Sequence, residues 1–266
     1  MNQASPLVLM YHGVDPGDGR YVGACSGLMG YVLKRDEFLR HLEALEGAGR
    51  RVVDPVAFLS GSVVLEPGDV LLTFDDGDRS DYDVVFPILQ KKGWRALFFV
   101  TAGFVGQSGQ TGWEQWREMG GQGMALGAHG LSHRFLTAMS REEQRYEFIE
   151  SRKRIEGETG FEVRSFSFPG GRFNRQALEE AAAAGYEKVF TSIPGSQKTS
   201  GQIQVIGRVA VRATMTGDRL RDFLDHQEVR LRELRWIDRV RRLAQGVLGE
   251  RLYPEAHRFF WRLLRK

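Results

Sequence analysis

Two adjacent carboxylates, Asp75 and Asp76, and two histidines four positions apart, His129 and His133, are the residues of this chain whose types and spacing suit catalysis. Asp75-Asp76-Gly77 ends an apolar run, Val70-Leu71-Leu72-Thr73-Phe74, that reads as a buried strand. Side chains alternate along a strand, so neighbouring aspartates share a pocket only after a turn, which the glycine supplies. Carboxylates held close repel and separate in pKa unless a cation takes one of them. The economical arrangement is one metal-binding aspartate and one free general base. His129 and His133, read on a helical turn, turn both imidazoles to one face. Zn²⁺ accepts imidazole and carboxylate donors, and a catalytic site keeps three protein ligands with an open position. The histidines follow a second apolar segment, Met124 to Ala128, so they are expected at the same end of a sheet as the aspartates. Either motif alone fits a solvated surface or a helix cap; the conjunction carries the chemistry.

Thr73-Phe74-Asp75-Asp76-Gly77 followed by His129-x-x-Ser132-His133 resembles the first two motifs of the NodB-homology polysaccharide deacetylases, carbohydrate esterase family 4. The resemblance continues through Ser165-Phe166-Ser167-Phe168-Pro169-Gly170-Gly171-Arg172-Phe173-Asn174 and Ala184-Gly185-Tyr186, and spans residues 5 to 215. It implies Asp75 as the base, with Asp76, His129 and His133 as ligands of Zn²⁺ or another divalent ion such as Co²⁺, Ni²⁺, Mn²⁺ or Fe²⁺. The implied reaction is removal of acetyl groups, N-acetyl above all, from a saccharide or a lipid-linked or exopolysaccharide intermediate. Pro169, Gly170 and Arg172 of the third motif are expected at the substrate.

The chain departs from the family pattern in two places. Many members carry an arginine in the third motif that orients the base, and an aspartate in the fourth that holds the arginine. Ser167 stands at the arginine position, and Val189-Phe190-Thr191-Ser192 offers no acid. Arg172 and Arg208 remain as cations for Asp75 or for the substrate, and the sequence does not choose between them. The second departure is a missing Leu-x-x-His near the C-terminus, where only His226 and His257 occur. Leu9-Met10-Tyr11-His12 supplies that pattern on the first strand instead. First and last strands are neighbours in a nearly closed barrel, so a permuted order, similar to the biofilm poly-N-acetylglucosamine deacetylases, keeps the site and makes His12 the general acid. Tyr11, Trp113 and Trp116 are candidates for an apolar platform under a sugar ring, set against a plain core role.

The elements that must position these residues alternate. Strands are expected at Leu7 to His12, Val52-Val53, Val70 to Phe74, Ala96 to Thr101, Met124 to Ala128, Ser165 to Phe168 and Lys188 to Ser192. Helices are expected at Arg35 to Ala48, Pro55 to Leu59, Asp81 to Lys92, Gly112 to Gly120, Ser140 to Gly157 and Arg175 to Ala184. Ser140 and Glu143 are spaced as a capping box, and Gly13 to Gly30 is a long glycine-rich loop. Alternation with every functional residue at a strand end describes a parallel sheet whose sites lie at its C-terminal face. The resemblance narrows this to an incomplete, distorted (β/α)7-type barrel, residues 1–216, followed by a basic amphipathic helical extension, residues 217–266.

Composition sets the rest. The chain has 266 residues, 42% hydrophobic and 27% charged, enough to form a core without disulfides, and Cys25 has no partner. The net charge of +3 is unevenly placed: from Arg219 onward 13 Lys/Arg face 7 Asp/Glu, leaving 37 − 13 = 24 against 34 − 7 = 27 in the remainder. A barrel at −3 argues against a nucleic-acid partner. No signal peptide or membrane span is legible, so a cytoplasmic enzyme is expected, with peripheral contact at the inner membrane surface through the tail, where Phe259 to Lys266 interleaves aromatics and cations. The rival functions are an amide hydrolase acting on a small non-carbohydrate molecule and a catalytically degenerate carbohydrate-binding module.

Overall fold

The computed structural model describes residues 5–18, 21, 30–195 and 197–240. Strand β1 (Leu7–Tyr11) is followed by two short paired strands, β2 (Val14–Asp15) and β3 (Leu33–Lys34), and by helices α1 (Arg35–Gly47) and α2 (Pro55–Ser60). Then come β4 (Val70–Phe74), a π-helical turn at Asp81–Val85, α3 (Phe86–Lys92), β5 (Leu97–Val100), α4 (Trp113–Gly121) and β6 (Ala125–Ala128). The chain continues through α5 (Arg141–Thr159), β7 (Ser165–Ser167), α6 (Arg175–Ala183), β8 (Lys188–Thr191), β9 (Gln197–Ser200), β10 (Ile203–Gly207), β11 (Val209–Ala210) and α7 (Gly217–Asp225). Local chemistry sets the helix starts: Asp54 accepts the Val56 and Ala57 N–H groups ahead of α2, and Ser140 and Glu143 close a capping box on α5.

Nine strands make one sheet in the order β11-β1-β4-β5-β6-β7-β8-β10-β9, parallel throughout except for β9. The sheet curls into a half-barrel with helices, the incomplete (β/α) barrel expected, and it stays open, with β11 and β9 as edges. The permutation argument requires β1 beside the last strand, and β1 does pair with β11 as well as β4. The polar hairpin β9–β10 was not anticipated, because Gln197-Lys198-Thr199-Ser200 lacks the apolar signature of a strand.

Strand alternation divides the core into two faces. Val8, Leu71, Leu97, Phe99, Ala125, Phe190 and Ile206 cluster on one. On the other, Tyr11, Phe74 and Phe98 stack in sequence, with Phe38 of α1 set edge-on against Tyr11 and Phe74. Val8 lies opposite Leu71 and Met10 opposite Thr73. Two residues further on, the same parity carries His12 and Asp75 off neighbouring strands on the face that Val8 and Leu71 share.

The chain forms two compact units, Met1–Asp225 and His226–Lys266. The division falls after α7 rather than at 216, because α7 buries Leu220, Phe223 and Leu224, and its Gly217 N–H donates to Glu37 of α1. In the second unit residues 227–240 are helical; Leu231 is buried, whereas Val229, Trp236, Ile237 and Val240 are exposed. Cys25 and the tail beyond 240, including Phe259 to Lys266, lie outside the described residues. No helix among the described residues is long and apolar enough to cross a membrane.

Candidate active site

Asp75 leaves β4 into a buried ion pair. Arg208, in the short link between β10 and β11, donates from Nη1 to Asp75 Oδ1 and from Nη2 to Oδ2, each at 2.7 Å. The same guanidinium donates to Ser167 Oγ at 2.8 Å, Thr73 Oγ1 at 3.2 Å and the Thr191 carbonyl at 3.3 Å, and lies over the rings of Phe99 and Phe190. Ser167 Oγ donates in turn to Asp75 Oδ2. Burial alone pushes the Asp75 carboxyl up; Arg208 and the neighbouring His129 outweigh it and hold Asp75 below the ordinary carboxylate range. Of the two arginines left open by the sequence, Arg208 is the one paired with Asp75, and its side chain is fully buried. The hydroxyl of Ser167, which stands where the family pattern expects an arginine, accepts from this guanidinium instead.

Asp76 would point to the opposite face of β4 if the strand continued. It does not, because Asp76 itself adopts a left-handed backbone (φ 77°), as does Gly77 (φ 78°). The turn is therefore made by Asp76 as well as by Gly77. His133 (φ 56°) is the one other non-glycine residue in that region among the described residues. Such conformations cost on the order of 1 kcal/mol each, and they persist where surrounding contacts enforce them. The histidines do not share a helical turn as expected: residues 129–135 form a loop, and the left-handed bend at His133 brings the rings together, 5.0 Å between centroids.

Asp76 Oδ1 lies 3.2 Å from His129 Nε2 and 3.0 Å from His133 Nε2, and the three donor atoms fall within 4.8 Å of one another. Ligands at 2.0–2.1 Å from one tetrahedral ion sit about 3.3 Å apart, so this donor set fits a zinc-type ion. His129 Nδ1 is committed to the Ser167 carbonyl at 2.8 Å, which fixes the tautomer and leaves Nε2 for the ion. The loop carrying His133 is fastened by a residue the sequence reading missed. Glu147 of α5, buried, accepts the Leu131 N–H at 2.6 Å and the Ser132 N–H at 3.1 Å on Oε2, and the Ser132 hydroxyl on Oε1. The available signal was Ser132 itself, a polar residue inside a metal motif that needs an acceptor.

His12 follows β1 as Asp75 follows β4. It is buried, and its Nδ1 has no hydrogen-bond partner among the described residues. Burial pulls the imidazole below its ordinary value against the attraction of Asp76 and Asp75. Tyr31 lies against it, 4.7 Å between ring centroids.

Not every expected residue reaches the site. Tyr11 is 1% exposed, packed against Phe38 and Phe74 with its hydroxyl near His41, and leaves no ring face for a sugar. Its odd position in β1 sets it on the face opposite His12. Trp116 is fully buried against Phe98, and Trp113 sits beneath Arg154 of α5. Pro169 is buried at the start of a 3₁₀ turn, Gly170 is exposed within it, and Arg172 lies with its guanidinium 4.6 Å from the centroid of the Phe135 ring.

An arginine-paired carboxylate thus lies beside an Asp-His-His donor set at the C-terminal end of an open parallel half-barrel. Residues 63–189 match the family model described as Polysaccharide deacetylase. The chain is 28% identical over 213 residues to a Bacillus subtilis (strain 168) protein named "Putative polysaccharide deacetylase YxkH", covering 79% of this chain and 72% of that one. IcaB from Ammonifex degensii aligns with a TM-score of 0.70 at 28% identity, over 83% of this chain and 97% of that one. The Streptococcus pyogenes deacetylase PplD, solved with acetate, shares the fold with a TM-score of 0.70 at 24% identity, over 82% and 97% of the two chains.

Proposed function

We propose that the chain is a metal-dependent hydrolase that removes acetyl groups, N-acetyl in the first instance, from a saccharide. The observation that carries this reading is a buried aspartate kept ionised by a bidentate arginine, one residue from the carboxylate of the Asp-His-His set. Asp76 Oδ1, His129 Nε2 and His133 Nε2 would hold the ion, which supplies Lewis acidity toward water and the acetyl carbonyl when bound.

Asp75 takes a proton from the attacking water. Among the described residues its Oδ1 accepts only from Arg208 Nη1 and keeps a lone pair for that proton, whereas Oδ2 is shared by Arg208 and Ser167. The leaving amine needs a proton, and His12 lies abreast of Asp75 to give one from its ring. An imidazolium held below its ordinary pKa is the stronger acid for that step. The reading of a degenerate binding module drew its support from the absent base-orienting pair, and Arg208 would supply that function from the link between β10 and β11.

The test is acetate release from N- and O-acetylated glycans, with and without a chelator, for wild type and Asp75→Asn. Release that a chelator abolishes, added divalent metal restores and Asp75→Asn lacks is the expected outcome. Turnover of small amides alone, with no acetylated sugar consumed, would hand the function to the rival amide-hydrolase reading.

A further inference from the structure

The helix over residues 227–240 has a buried side and, away from it, an apolar side turned to solvent. Leu231 and Asp238, seven positions apart, are buried and mark the inner side. Trp236 is 66% exposed and Ile237 51%, and Val229 and Val240 are exposed as well. Scattered exposed apolar residues are ordinary, but four on one helix, a tryptophan among them, mark a contact surface. Steps of about 100° per residue set Val229, Trp236 and Val240 within an arc of about 40°, with Ile237 at one border. Leu231 and Asp238 fall on the opposite side of the same wheel.

Arginines rim this band. Exposed Arg232 and Arg239 follow it on one side, and Arg230 lies past Ile237 on the other. Glu233, inside the band, is paired with Arg230 at 3.1 Å. Charge then selects among occupants. His226–Lys266 carries 11 Lys/Arg against 5 Asp/Glu, a net of +6, which leaves 37 − 11 = 26 against 34 − 5 = 29, a net of −3, before it. A second copy docked on the same face would set +6 against +6. A nucleic acid duplex would match the cations but leave Val229, Ile237 and Val240 without an apolar partner. An anionic bilayer surface satisfies both parts: acyl chains take the band, lipid phosphates take the guanidiniums, and a tryptophan ring suits the headgroup level.

We propose that the helix over residues 227–240 docks the protein on an anionic lipid surface, with Val229, Trp236, Ile237 and Val240 entering the interface and Arg232 and Arg239 on lipid phosphates. The contact is peripheral, since no helix among the described residues is long and apolar enough to cross a membrane. It concerns where the protein works and is independent of the reaction proposed for Asp75. It also assigns the contact to a described helix face, distinct from the aromatic and basic stretch at Phe259 to Lys266.

The experiment co-sediments the full-length protein with phosphatidylcholine vesicles and with vesicles that also carry phosphatidylglycerol, at low and high salt. Wild type is compared with Trp236→Ser/Ile237→Ser, Arg232→Glu/Arg239→Glu and, as a surface control, Val64→Ser, with circular dichroism on each. Wild type should pellet with the anionic vesicles only, and less at high salt, because salt screens surface charge. Each cation near an anionic surface is worth about fivefold in partitioning, so the arginine variant should lose more than about tenfold. The Trp236/Ile237 variant should lose about tenfold as well, through its apolar area, and Val64→Ser nothing. Equal partitioning of wild type and the Trp236/Ile237 variant would overturn the helix as the contact, as would equal binding to neutral and anionic vesicles. A wild-type dimer that the same variant disperses in sedimentation velocity would give the face to a second copy and overturn the proposal too.

Discussion

Replacing Arg208 by methionine keeps the volume and the contacts over Phe99 and Phe190 but removes the charge from a pair that water does not reach: the two side chains are 0% and 4% exposed. Breaking a buried ion pair at one end costs about 3–5 kcal/mol, because the remaining charge is stranded. Asp75 would keep a single donor, Ser167 Oγ at 3.1 Å, in place of three. The sign with pH follows. In the wild type the Asp75 pKa is depressed, so the pair stabilises above the unfolded value of about 3.9 and is lost as pH falls through the lower folded value. In Arg208→Met the largest opposition to burial is gone, with His129 and His12 left to counter it, and the folded pKa rises. The variant's deficit in denaturant unfolding should therefore be largest at neutral pH and shrink below about pH 4. Activity should fall by about 10²–10⁴, the usual worth of a general base, and the acid limb of the pH–rate profile should move upward. The double variant Asp75→Asn/Arg208→Met should recover stability without activity. A single variant with full stability and an unmoved acid limb would show that Arg208 does not govern the charge on Asp75.

Further outcomes are expected. Asp76→Ala, His129→Ala and His133→Ala should each lose tight metal binding and turnover, read by elemental analysis and acetate release, since a three-donor site cannot spare one. Glu147→Ala should free the loop at Leu131–Ser132 and weaken metal affinity by about 10–100-fold with little loss of fold, checked by metal titration and circular dichroism. His12→Ala should retain metal and slow turnover by about 10²–10⁴; the limb lost as pH rises through the depressed imidazole pKa should disappear with it. Asp81 buries both carboxylate oxygens without a hydrogen-bond partner among the described residues, and burial, with Asp78 and Asp76, pushes its pKa well up. Its folded pKa exceeds the unfolded one, so it costs stability as pH rises from about 3.9, and Asp81→Asn should melt higher than wild type at neutral pH.

What the sequence made legible was whatever is local. Val70-Leu71-Leu72-Thr73-Phe74 announces a strand and Ser140 with Glu143 a helix start, because each depends on residues a few positions apart. His129 and His133 were recognisable as partners, although the left-handed bend that brings them together was not, since nothing in the residue type of His133 demands it. Tyr11 was misplaced for a reason the sequence did contain: it shares strand parity with Leu7 and Leu9, and His12 has the opposite one. Arg208 could be named only as one of two, because it reaches Asp75 across 133 positions from a link between strands. Glu147 is one glutamate in a highly charged helix and shows its role only when the loop lies beside it.

The place of β1 has a consequence for how the protein is made. This apolar strand, Leu-Val-Leu-Met-Tyr, is synthesised before either of its partners: one edge pairs with β4 and the other with β11, whose Val209 lies opposite Leu9, 209 − 9 = 200 positions later. During vectorial synthesis that second edge stays bare until almost the whole barrel has emerged. Unpaired apolar strand edges recruit other strands, and long-range parallel pairing is slow. Chains interrupted before β11 should therefore self-associate through β1, and the yield of soluble protein should respond to chaperone supply and to translation speed in the last third of the message.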